Sequence, residues 1–158
     1  DVERSRGLGD VYKRQTLETE EGEMLACANS IWSYVSMKTG HPVRAPKETM
    51  DAYGVEDPLD EEFGERKVKM PEADFIGEPF PVRPHNLDTN HHVNNAQFIS
   101  LAIECLPKDF SVHRMRAEYK QQAHLGDVLH PLRAETENGC FISLNDEKGQ
   151  PYVVVEFQ

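Results

Sequence analysis

The sequence predicts an α+β domain in which an antiparallel sheet packs around one central helix. Three observations predict it. Residues 111–157 form successive alternating or apolar runs broken by turn residues, which is the pattern of consecutive antiparallel strands. Ahead of that series, residues 93–106 carry Val93, Ala96, Ile99, Leu101, Ala102, Ile103, Cys105 and Leu106, an apolar helix expected to be buried on most sides. With 158 residues, 38% of them hydrophobic and 28% charged, the chain can build one ordinary core.

The elements follow in order. Residues 1–15 mix charges without a sustained period and are expected to lie outside the fold, as a non-native or disordered segment. Thr16 to Thr19 reads as the end of a strand, and the stretch from Glu20 to Glu23 as a turn. Residues 24–37 read as a long strand that carries Trp32, a residue suited to the core or to the border of a tunnel. Gly40 serves the following turn, and Pro42, Val43 and Arg44 begin a return strand. Residues 46–53 read as a short helix, with Pro46 in its first turn and Gly54 just beyond its end. Residues 56–77 are charged, contain Pro58 and Pro71, and read as a linker.

Past the linker the pattern is more regular. Pro79-Phe80-Pro81-Val82-Arg83 makes a short edge strand, because its two prolines cannot donate to a ladder. Residues 84–90 form a loop, the helix over 93–106 follows, and Pro107 ends it. In residues 111–123, Met115, Ala117 and Tyr119 alternate with Arg114, Arg116, Glu118 and Lys120. Gly126-Asp127 turns the chain into a strand over 128–135, and Asn138-Gly139 signals a tight hairpin into residues 140–144. The last strand is Tyr152 to Phe157.

Composition excludes several classes. A net charge of −11 argues against a nucleic-acid binder, which needs clustered Lys and Arg to neutralise phosphate. No apolar run reaches the roughly 20 residues that span a bilayer, so no membrane partner is expected. The three cysteines, Cys27, Cys105 and Cys140, are odd in number and widely spaced, which favours reduced thiols and a cytoplasmic setting. His85, His91, His92 and His124 lack the i, i+4 spacing of helical metal ligands, so neither a metal nor another cofactor is expected.

The chemistry concentrates in Asn86-Leu87-Asp88-Thr89-Asn90-His91-His92-Val93-Asn94-Asn95. Asp88, Asn90 and His92 alternate, so on a short extended turn they would project to one side, at the entrance of the helix. A helix N-terminus offers unpaired N–H groups and partial positive charge, which suit an oxyanion or a polarised carbonyl. The spacing alone also allows a capping loop in which His92 merely fills space.

This run, continued by Ala96-Gln97-Phe98-Ile99 with Glu104 and Pro107 beyond, resembles the signature of the acyl-acyl carrier protein thioesterases. A second block resembles the same family: Glu118-Tyr119-Lys120-Gln121-Gln122, then Gly126-Asp127-Val128-Leu129. The resemblance implies a bacterial-type tandem hotdog protein, a hotdog being an antiparallel sheet wrapped around a central helix. On that reading residues 78–158 are a complete C-terminal repeat that carries the site. Residues 16–55 are then a partial N-terminal repeat, without its opening strand and central helix, as in an N-terminally truncated member. Surface left bare by those missing elements predicts self-association, for example as a homodimer.

The resemblance also implies an activity, the hydrolysis of acyl-acyl carrier protein to free fatty acid during fatty-acid biosynthesis. The implied partner is an acyl carrier protein with an acylated phosphopantetheine. Asp88, Asn90 and His92 fall on the family's catalytic positions. His92 would be the base or would polarise the carbonyl. Asp88 would orient water or the imidazole, or be the base itself. Asn90 would hold the carbonyl oxygen or the water, with backbone N–H groups near Asn94 and Asn95. Plant members carry Glu-Cys where this chain has Gln122-Ala123. Gln122 can hold a water but cannot take its proton, so a cysteine nucleophile has no support there. Arg114, Arg116 and Lys120, with Arg133 beside them, are either a solvated face or a dock for the acidic carrier. The alternatives are a hotdog acyl-coenzyme A hydrolase and a non-catalytic acyl-binding module.

Overall fold

The computed structural model describes residues 10–52 and 64–158, and the chain divides into two compact units, Asp1–Gly64 and Glu65–Gln158. In the first unit, β1 (Asp10–Glu18) and β2 (Met24–Ser33) form an antiparallel hairpin, with a bulge between Leu17 and Glu18. The turn between them uses Gly22 at φ +85°, where Thr19 accepts the Gly22 N–H at 3.0 Å. Residues 10–15, set outside the fold by their mixed charge, are therefore the first part of β1. Their partners lie in β2, with Lys13 opposite Ser30 and Gln15 opposite Ala28. Ladder bonds are made by backbone, so an irregular side-chain pattern does not forbid a strand.

β2 is shorter than the strand expected over 24–37. Pairing resumes as a single bridge between Val35 and Pro42, closed by a turn with Gly40 at φ +69° and a Val43 N–H bond to the Tyr34 carbonyl at 2.8 Å. Trp32 is 55% exposed rather than buried, and its Nε1 donates to Ser30 Oγ at 2.8 Å. Among the described residues of its unit, a two-stranded ribbon and one turn of helix leave such a side chain uncovered. α1 (Lys47–Asp51) is one turn of helix entered from Pro46. The expected C-terminal residues Tyr53 and Gly54, and the linker residues 56–63, lie outside the described residues.

The second unit holds the core. Its sheet runs β3 (Phe75–Ile76), β6 (Val128–Thr136), β7 (Gly139–Asn145), β8 (Pro151–Phe157), β5 (Met115–Tyr119), and β4 (Phe80–Pro81) also pairs with β6. All of these pairings are antiparallel. β3 lies inside the stretch read as linker, and a two-residue strand is too short to show a period of two. α2 (Asn95–Ile103) packs over β7 and β8. Phe98 and Ala102 face Ile142, Leu144, Val153, Val155 and Phe157, all buried.

The helix is buried less widely than its composition predicts. Phe98 and Ala102 are its buried residues, Ile99 and Leu101 are partly covered, and Ile103 is 48% exposed. Within this unit α2 meets one sheet face, so one side of it reaches a core.

β8 explains its own sequence. Val153, Val155 and Phe157 lie under α2, while Val154 and Glu156 lie on the opposite face and are buried too. A strand covered on both sides reads as a continuous apolar run, here Val153-Val154-Val155. On that opposite face Val68 is buried and donates its N–H to Glu118 Oε2 at 3.0 Å. Glu156 takes the Arg116 guanidinium, whose Nε donates at 2.6 Å, and Lys120 pairs with Glu118 at 2.9 Å. Arg116 and Lys120, two of the basic residues that alternate along this stretch, are thus tied to acids of their own unit. Among the described residues no helix is long and apolar enough to cross a membrane.

The hairpin after β6 differs by one residue from the Asn-Gly turn expected. Thr136 pairs with Gly139, so Glu137 and Asn138 are the central residues and Gly139 already begins β7. Gly139 has φ +151°, and a Cβ there would stand 2.2 Å from the Phe157 carbonyl oxygen. The glycine is needed for the approach of β8, not for the turn. Gly139→Ala should therefore destabilise the unit by about 2–3 kcal/mol, read as a lower urea midpoint. An unchanged midpoint would mean that β8 retreats without loss.

Candidate active site

The turn from Asp88 to His92 is closed by its own backbone. The Asp88 N–H donates to the His92 carbonyl at 2.8 Å, the His91 N–H donates to the Asp88 carbonyl at 3.1 Å, and Leu87 bridges Val93. Asp88 Oδ1 accepts the N–H of Asn90 at 2.8 Å and of His92 at 3.3 Å. This is an aspartate turn, the local alternative to a strand that Asp offers by folding its side chain back on the chain. His91 takes the left-handed conformation at φ 61°, which is uncommon outside glycine though less so for His.

The expectation of an extended turn with alternating side chains is therefore corrected. Asp88, Asn90 and His92 come together, but through a compact loop stitched by the Asp88 carboxylate. An extended strand cannot bring N–H groups two and four residues on to one carboxylate. Burial pushes the Asp88 carboxyl up. Bonds from the backbone of Asn90 and His92, then the Asn90 side chain, then the charge of His92 outweigh it, and the net shift is below the usual 3.8. The group is held as an anion.

The loop is anchored from beneath. Buried Asn86 accepts the Arg83 N–H at 2.9 Å, donates Nδ2 to Gln97 Oε1 at 3.1 Å and accepts the Asn94 N–H on its carbonyl at 2.9 Å. Asn94 is the N-cap of α2, its Oδ1 accepting the Ala96 N–H at 2.8 Å. Its side chain serves the helix, and the Asn95 N–H is the N-terminal donor that neither of those bonds uses. The Asn95 carbonyl accepts the Tyr119 hydroxyl at 3.2 Å.

A second segment completes the site. The Val93 N–H donates to the buried Ala123 carbonyl at 2.9 Å, and His92 bridges His124 antiparallel. The two imidazoles meet edge to face, with centroids 4.8 Å apart and an interplanar angle of 83°. His124 donates its N–H to Asp127 Oδ2 at 2.9 Å, and its Nδ1 lies 3.9 Å from the same oxygen. Tyr152 donates its hydroxyl to that oxygen at 3.2 Å. Its phenol is pushed up to about 12, by burial and then by the charge of Asp127, so it stays a donor. Gln122 is exposed, one residue from Ala123 on this segment.

In the sequence His124 is weighed only as a metal ligand, and Asp127 only as a turn residue of the second block. The signal was faint: a His just before a Gly-Asp turn, three residues from its carboxylate. No single sequence window joins it to His92, 32 positions earlier. Two of the three thiols are poorly suited to act as nucleophiles. Burial pushes buried Cys140 up to about 11, assisted by the charge of Glu135, and burial and then Glu104 raise Cys105.

The model of one protein family, the acyl-ACP thioesterase C-terminal domain, matches residues 69–157. A chloroplastic palmitoyl-acyl carrier protein thioesterase of Cuphea hookeriana is 30% identical over 128 residues, covering 75% of this chain and 31% of that protein. The corresponding enzyme of Gossypium hirsutum is 23% identical over 137 residues, 80% of this chain and 33% of that protein. This chain thus spans about a third of these curated relatives. Among solved structures, a 12:0-ACP thioesterase from Umbellularia californica superposes with a TM-score of 0.78 at 19% identity, covering 98% of this chain and 64% of that one. An acyl-ACP thioesterase from Bacteroides thetaiotaomicron gives 0.77 at 18%, covering 94% and 62%. The fold these structures share with this chain is the hotdog.

Proposed function

This chain belongs to the acyl-ACP thioesterase family through its C-terminal domain, and on that footing we propose that it hydrolyses the thioester of an acyl carrier protein to release a free fatty acid. The observation that carries the reading is the gathering of Asp88, Asn90 and His92 in one closed turn at the N-terminus of α2. Around it stand the donors, the fixed anion and the imidazole that thioester hydrolysis uses.

His92 takes the proton of the attacking water. The anionic Asp88 holds the turn that presents it and supplies the negative field beside the ring. Asn90 and the Asn95 N–H receive the carbonyl oxygen as it becomes an oxyanion. Gln122 offers an amide to the water. No cysteine takes part.

The partner is an acyl carrier protein that presents its acyl group on phosphopantetheine. Since the chain carries a net charge of −11, docking an acidic carrier calls for a local basic surface. Arg116 and Lys120 are tied to Glu156 and Glu118. Lys67 and Lys69 stand with Lys120 around a groove of about 440 Å³ on the sheet face away from α2.

The test is to compare one acyl chain presented on acyl carrier protein and on coenzyme A. The expected result is a KM at least about tenfold lower for the carrier, a difference of 1.4 kcal/mol in recognition. Equal values on the two would move the reading to an acyl-coenzyme A hydrolase. Turnover of neither, with acyl chain still bound, would move it to a binding module.

A further inference from the structure

Hydrolysis of a thioester moves two protons, and the turn at Asp88 accounts for one of them. Water adds to the carbonyl carbon, the carbonyl π electrons pass to oxygen, and a base takes a proton from the water. On collapse the C=O bond re-forms, the C–S bond breaks and its electron pair leaves with sulfur. The thiolate then needs a proton, unless it departs as a stable anion.

The groups around the site leave few candidates for that second transfer. Asp88 is an anion, and the amides of Asn90 and Gln122 do not transfer protons at neutral pH. Tyr152 holds its hydroxyl on Asp127, and Tyr119 holds its own on the Asn95 carbonyl. His124 remains. Its ring stands 4.8 Å from that of His92, and its backbone and Nδ1 are both presented to Asp127 Oδ2, at 2.9 and 3.9 Å. Its side chain is 58% exposed, open to a departing thiol. The contact with Asp127 becomes an ion pair when the ring is protonated. Imidazole is also the side chain that carries or releases a proton near neutral pH.

From this geometry we infer that His124, oriented by Asp127, is a second catalytic imidazole of the site, the one that protonates the leaving thiolate. It stands two residues beyond Gln122, whose amide cannot transfer a proton. The proton gained by His92 and the one given up by His124 balance over a turnover, and the net reaction is water plus thioester to carboxylic acid plus thiol. This assignment rests on the hydrolase reading above.

The test uses the purified chain, His124→Gln and His124→Ala on two esters of one fatty acid. One ester is an alkyl thioester, whose thiolate is at least as basic as that of cysteine, about 8.5. The other is a p-nitrothiophenyl ester, whose thiolate leaves without a proton. The expected result is a fall in kcat at least about tenfold greater on the alkyl ester, a threshold set below the roughly 10²–10⁴ that a general acid typically contributes. Added imidazole should restore part of the alkyl rate to His124→Ala. Equal losses on both esters, with no rescue, would reduce His124 to a structural residue and overturn the inference, as would no loss on either. Failure of the parent chain to cleave either ester or the carrier-bound thioester would instead refute the hydrolase reading, and that outcome is visible before any variant is made.

Discussion

His92→Ala should lower kcat for carrier-bound substrate by about 10²–10⁴, the range for loss of a general base, and Asp88→Asn should fall by about a hundredfold or more. The two losses arise differently, and a second measurement separates them. His92 acts through its ring, so its removal should leave the turn intact. Asp88 acts through charge as well as shape, because its carboxylate accepts the N–H groups of Asn90 and His92. Its carboxyl is more acidic in the folded turn than the ordinary 3.8. The folded state therefore binds fewer protons than the unfolded one across that interval, and stability there rises with pH. The contribution is fully present above about 3.8 and is lost as pH falls through the lower folded value. Amide exchange at Asn90 and His92 should show this loss of protection in acid, and Asp88→Asn should abolish the acid step. If turnover survives both substitutions, the turn is a helix cap and the chemistry lies elsewhere.

Phe98→Ala should destabilise the second unit by about 3–5 kcal/mol, the cost of truncating a buried aromatic. Phe98 is 2% exposed in the cluster under α2, with its ring 6.3 Å from those of Tyr119 and Tyr152. The urea midpoint should drop with an unchanged slope. The loss also reaches the site by two short routes. The Phe98 N–H donates to the Asn94 carbonyl at 3.1 Å, which ties the cavity to the helix entrance. Tyr152 links it to Asp127 and thence to His124. Phe98→Leu should recover most of the stability, since it restores most of the volume. A cost below about 1 kcal/mol for the alanine variant, well under the range for a truncated core aromatic, would show that the core collapses onto the gap.

Local information sufficed for much of this molecule. The order of elements from β4 to β8 follows from apolar spacing and turn residues, because a helix and a strand impose different periods on the side chains they bury. A helix was legible over 93–106, but α2 is shorter, Asn95–Ile103: Asn94, read as a site residue, caps its start, and it stops before Pro107. The loop from Asp88 to His92 could be chosen as the site because its carboxylate, amide and imidazole all lie within one window of five.

What local pattern could not supply depends on contacts between distant parts of the chain. β3 and the first half of β1 exist because a partner strand accepts their backbone, and backbone pairing leaves little mark on side chains. The conformation of the site loop turned on where the Asp88 carboxylate finds its donors, which an alternating pattern misrepresents. Gly139 was read as a turn residue, yet its need is set by the Phe157 carbonyl of another strand. His124 meets His92 only because their two segments pair, 32 residues apart in the chain. Periodicity records which face a residue buries, whereas the neighbour it meets across the sheet is settled by register alone.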